Sequence, residues 1–68
     1  MIIEIGIVAG EIWHYLDQHG EVNFTDLVKG IDRSSDNVLM SLGWLAREGH
    51  VILVKLDNDY RISLRKDV

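Results

Sequence analysis

No cysteine occurs among the 68 residues, which excludes disulfides and thiolate metal sites and leaves the redox compartment unread. Positive charge is not in excess either: seven basic residues stand against eleven acidic ones, a formal net charge of −4. That balance supplies no general attraction to nucleic acid or to an anionic membrane. No apolar run approaches the roughly 20 residues needed to span a bilayer. The most apolar stretch, MIIEIGIVAG, is interrupted by Glu4 and follows no basic segment. It reads as the buried start of a helix, and the expectation is a cytoplasmic protein. Internal repeats, low-complexity segments, linkers and a glycine-rich phosphate loop are lacking as well.

What is present suits a folded domain. Apolar residues make up 47% of the chain and charged residues 26%, far from the composition of a disordered segment. Residues 1–68 have room for one domain with one small core, so stability is marginal and a partner subunit is a common remedy.

Periodicity divides the chain. From about Ile5 to His19, the positions Ile5, Val8, Ala9, Ile12 and Leu16 repeat as on one buried helical face, with Gly20 placed to end the helix. A shorter helix follows, with Asn23 as cap, Asp26 completing a capping box, and Leu27, Val28 and Ile31 on its buried side. IDRSS reads as a turn. Ser34 or Ser35 caps a third helix that runs to about Glu48 and stops at Gly49, with Val38, Leu42 and Leu45 as its buried stripe. The period then changes to two. HVILVKL and YRISLRK read as strands joined by a tight turn, Asp57 to Asp59. Three helices followed by a two-stranded hairpin make an α+β domain on the winged helix-turn-helix plan.

AGEIW (Ala9 to Trp13) together with SLGWLAREG (Ser41 to Gly49) resembles a family of small winged helix-turn-helix domains of bacteria and archaea. The resemblance covers nearly the whole chain, and the second motif is much more specific than helix-turn-helix spacing in general. Members carry Ala where this chain has Ser41. The resemblance implies the fold and carries no assigned activity.

In a winged helix on DNA, the third helix enters the major groove and the wing touches the backbone or the minor groove. Arg33, Ser34, Ser35, Asn37, Ser41 and Arg47 are the polar residues of that region, and Asn37 or Arg47 has the donors to read a base edge. The plainer reading makes the serines caps and Arg47 a solvated helix-end charge. Lys55, Arg61, Arg65 and Lys66 make the hairpin locally basic, although exposed strands also carry such residues as edge protection. Against DNA stand Glu21, Asp26, Asp32, Asp36 and Glu48, which outnumber Lys29, Arg33 and Arg47 around the reading unit, and Asp57 and Asp59 at the wing tip.

A different surface is written into MSLGWLAREG. Leu42, Leu45 and Ala46 fall on one side of a helix, whereas Met40, Gly43, Trp44 and Arg47 fall on the other. A mid-helix glycine costs about 1 kcal/mol relative to alanine, and close approach by another element is the usual compensation. Met40, Gly43 and Trp44, with Trp13 on the first helix, are therefore candidate residues of a protein interface, expected in a homodimer. The competing reading folds Trp44 back over Leu56 or the wing, into the monomer core.

Catalytic constellations are missing. Glu11 and His14 share a helical face at i, i+3, but no second such pair completes a metal site, and a surface Glu–His pair explains them. His19 and His50 are isolated. The expectation is a non-enzyme without metal, cofactor or small-molecule substrate. Two functions stay open: a DNA-binding module of the transcription-regulator type with double-stranded DNA as partner, or a protein-interaction module that has the fold without DNA binding.

Overall fold

A computed structural model describes residues 2–65. Helix α1 (Ile2–His19) leads through strand β1 (Val22–Asn23) into α2 (Phe24–Ile31) and α3 (Ser35–Arg47), and the hairpin β2 (Val51–Lys55) and β3 (Tyr60–Leu64) follows. Helix α1 starts earlier than the Ile5 expected from its buried stripe, because the apolar segment before it continues the same helix. Val8, Ala9, Ile12 and Leu16 of α1 meet Leu27 of α2 and Val38, Leu42 and Leu45 of α3. Val51 and Ile62 close this core from the sheet side.

The sheet has the order β1-β3-β2 and is antiparallel throughout. Strand β1, which sequence reading missed, is only two residues long and gives no alternation to detect; it pairs Val22 with Ile62 and Asn23 with Arg61. Along β3, Ile62 is buried and Leu64 partly so, while Arg61 is exposed, as is Arg65 just past the strand's end. Strand β2 is buried only at Val51.

The helix ends separate what local sequence controls from what it does not. Ser34 caps α3, its hydroxyl accepting from the Asn37 N–H at 3.2 Å. Asn23 precedes α2 in extended conformation, yet its side chain makes no cap bond. The hairpin supplies the missing acceptor. Asp59 takes a hydrogen bond from the Thr25 hydroxyl at 3.0 Å and one from the Tyr60 N–H at 2.8 Å. The expected capping box through Asp26 is thus replaced by a carboxylate from the other end of the chain. Gly49, at φ +78°, makes the left-handed turn between α3 and β2.

Candidate functional site

The polar residues expected on a DNA-reading surface are dispersed. Arg33 donates two hydrogen bonds to Glu11, Nε to Oε1 at 2.9 Å and Nη2 to Oε2 at 2.7 Å, tying the turn before α3 to the middle of α1. This fork holds the Glu11 carboxyl below its ordinary value, mainly through the hydrogen bond from Arg33. Glu11 is therefore the partner of Arg33, not of His14, whose ring instead meets Trp13 edge-on. Ser41 has to be corrected: it is fully buried, and its hydroxyl donates to the Ile5 carbonyl at 3.2 Å. Its small size lets α3 and α1 approach closely, and no duplex reaches it. Ser34 is engaged as a cap. Asn37 is half-buried. Ser35 lines a shallow groove of about 230 Å³ with Phe24, Thr25, Val28 and Lys29. Arg47 remains exposed in the last turn of α3.

The hairpin cations are no more concentrated. Lys55 holds its ammonium 4.9 Å from the centroid of Tyr60, and Arg61 lies 3.7 Å from Glu21. Arg65 passes over the Gly49 turn, with Nη1 3.6 Å from where a Cβ would stand. Lys66 lies outside the described residues. The hairpin turn itself is drawn back onto the start of α2 by Asp59, whose carboxyl is held below its ordinary value first by the Tyr60 N–H. The Thr25 hydroxyl and the first N–H groups of α2 act in the same direction. The Thr25–Asp59 bond ties the turn of the wing to the first turn of α2.

The second surface is continuous. Leu39, Met40 and Trp44 on α3 are exposed at 54, 39 and 48%, so Trp44 does not fold into the monomer core. Gly43 lies among them, and a Cβ added there would meet nothing within 4 Å. Among the described residues, no contact explains this glycine. Asp36 and Arg47 are the charges at the two ends of the face. Trp13 is exposed as well but belongs elsewhere. The contacts Ile5–Ser41 and Glu11–Arg33 run α1 and α3 in opposite directions. At 1.5 Å per residue that puts Trp13 about 15 Å along α1 from the level of Trp44. Helix spacing makes Met40, Gly43 and Trp44 legible in the sequence, whereas Leu39 falls on the border between the buried and outer sides of the helix, where spacing assigns it to neither.

Among the described residues, no group of three or more His, Asp or Glu side chains is placed to hold a metal ion, and no helix is long and apolar enough to cross a membrane. His19 stacks on Tyr15 at 4.1 Å between ring centroids.

Residues 1–64 match the family model described as "Winged helix-turn-helix domain (DUF2582)". The uncharacterized protein MJ1608 of Methanocaldococcus jannaschii is 35% identical over 65 residues, which cover 91% of each chain. Among solved structures, the solution NMR structure of protein BT2368 from Bacteroides thetaiotaomicron is similar, with a TM-score of 0.78 and 26% identity. The match covers 90% of this chain and 74% of that one.

Proposed function

The chain belongs to the winged helix-turn-helix domain (DUF2582) family, and from that premise we propose that it acts as a protein-docking module through the outward face of α3. The observation that carries this reading is the combination of exposed Leu39, Met40 and Trp44 around a glycine that the monomer does not require. Trp44 serves as the anchor, as large aromatic residues do at interface centres, and Gly43 lets a partner backbone approach. A fold hosts many functions, so the face, not the architecture, carries the conclusion.

Duplex binding is the second reading. It is favoured by Arg47, Lys55, Arg61 and Arg65, with Ser35 and Asn37 near the start of α3. It is weakened by the acidic balance of the α2–α3 region, by the Arg33–Glu11 pair and by the moored hairpin. Titration with a random duplex at low salt separates the two, because unscreened phosphate attraction is then strongest. The expected result is no change in fluorescence anisotropy of the labelled duplex. Binding that falls steeply with added salt, and collapses for Arg61→Glu plus Arg65→Glu, overturns the docking proposal in favour of DNA.

A further inference from the structure

The sheet order leaves β2 with one unpaired edge among the described residues. Two hydrogen bonds fix the phase of its ladder with β3: the Arg65 N–H donates to the His50 carbonyl at 3.0 Å, and the Leu56 N–H to the Asp59 carbonyl at 2.9 Å. Bonded and non-bonded positions alternate in an antiparallel pair, so Ile52 and Val54 bond inward to β3. Val51, Leu53 and Lys55 therefore turn their N–H and C=O groups outward. Along the same margin Ile52, Leu53 and Val54 are exposed at 47, 40 and 47%. Proline, a bulge or an inward-pointing charge ordinarily blunts such a margin. Here the chain has no proline, the register is unbroken from Val51 to Lys55, and the inward-facing charge of the strand, Lys55, stands at its last position beside Tyr60, leaving Val51 to Val54 apolar.

We propose that a second copy of this chain occupies the edge, its β2 adding antiparallel about a two-fold axis at Leu53. Leu53 then faces the partner's Leu53 and Val51 faces the partner's Lys55, each exchanging both backbone hydrogen bonds. This register uses the whole strand, and a shift of two residues gives up a rung. On the outer side of the sheet Ile52 lies opposite the partner's Val54, an apolar cross-strand pair.

Charge complementarity commits the edge to a second copy. Lys55 stands on the helix side of the sheet, as its contact with Tyr60 shows. The two-fold pairing brings it beside the partner's Val51, directly after the carboxyl end of the partner's α3. That end carries Glu48 and the negative pole of the helix, with Arg65 crossing the Gly49 turn from the β3 side. The axis repeats the attraction and keeps the two lysines at opposite ends of the seam. A five-residue strand buries less than the about 800 Å² per partner of a standard interface, which places the pair among weak, reversible interfaces, with dissociation between about micromolar and millimolar. The seam uses none of the α3 face and does not depend on the docking function proposed for it.

Sedimentation equilibrium of the full chain tests the pairing, from about 1 µM to 1 mM so as to bracket that range. Wild type is expected to show a reversible monomer–dimer equilibrium. Leu53→Pro removes an outward N–H while sparing the ladder to β3, and is expected to be monomeric with an unchanged circular dichroism spectrum. Lys55→Glu should weaken the dimer about tenfold or more, and adding Glu48→Lys should restore it. Trp44→Ala should leave it intact. If Leu53→Pro fails to fold, the Lys55/Glu48 reversal and rescue decide. A wild type that stays monomeric throughout, a folded Leu53→Pro that still dimerises, or a reversal without rescue each overturns the seam. Loss of the dimer in Trp44→Ala but not in Leu53→Pro overturns it too and makes a second copy the occupant of the α3 face.

Discussion

Gly30 and Gly43 occupy the same kind of position, inside a helix, in opposite surroundings. A Cβ at Gly30 would come within 2.4 Å of the Tyr15 ring, which is itself stacked on His19. At Gly43 there is open space. Gly43→Ala should therefore stabilise the free domain by about 1 kcal/mol in urea unfolding, through helix propensity alone. Gly30→Ala should lose part or all of that gain, because the end of the Tyr15 side chain must shift from its stack on His19 to admit the methyl group. The same reasoning separates substitutions at buried Ser41. Ser41→Ala removes a donor and leaves the Ile5 carbonyl a helix acceptor, so its cost should stay within about 1 kcal/mol. Ser41→Val, which forces extra volume between α1 and α3, should cost about 1–3 kcal/mol.

At the scale of elements, two carboxylates join segments that are distant in sequence. Glu11 links α1 to the turn before α3, and Asp59 links the hairpin turn to the start of α2. Both carboxyl groups are held below their ordinary values of 4.5 and 3.8. A group with a depressed folded-state value adds stability above its unfolded value and loses it as pH falls through the folded one. Thermal stability should accordingly decline below about pH 4.5, the upper of the two ordinary values. Glu11→Gln and Asp59→Asn should each lower the melting temperature at pH 7 and flatten that acid limb. These links also mark what the sequence withheld. Val38, Leu42 and Leu45 could be read because burial at every third or fourth residue is a local signal. The Arg33–Glu11 pairing spans 22 positions, and the nearer His14 was the only partner that spacing alone suggests. Likewise Asn23 had the residue type of a cap, while the working acceptor came from 34 residues away from Thr25. For the α3 face, the pattern was visible because a Trp and a Gly on the outer side of an otherwise regular helix have no local explanation.

For the whole molecule, an acidic chain with a total accessible surface of 4667 Å² carries exposed apolar residues on the α3 face and the β2 margin, besides Ile3, Ile7 and Trp13 on α1. The first two lie on different layers of the fold and make different demands on solution conditions. Self-pairing through β2 should make the melting temperature rise with protein concentration, a dependence that Leu53→Pro abolishes. Because the paired charges Lys55 and Glu48 lie near solvent, added salt should screen them and weaken the dimer, leaving the backbone bonds and the Ile52–Val54 pairs to hold what remains. Duplex binding, by contrast, would be lost steeply over the same range.

The bond between Thr25 and Asp59 has a kinetic meaning too. A β-ribbon whose bend is latched to the base of a helix has little freedom to sway, and the two must open together or not at all. Amide exchange at Leu56 and Phe24 should then slow and quicken in step, and weakening the latch with Thr25→Val should let the ribbon exchange ahead of the helix.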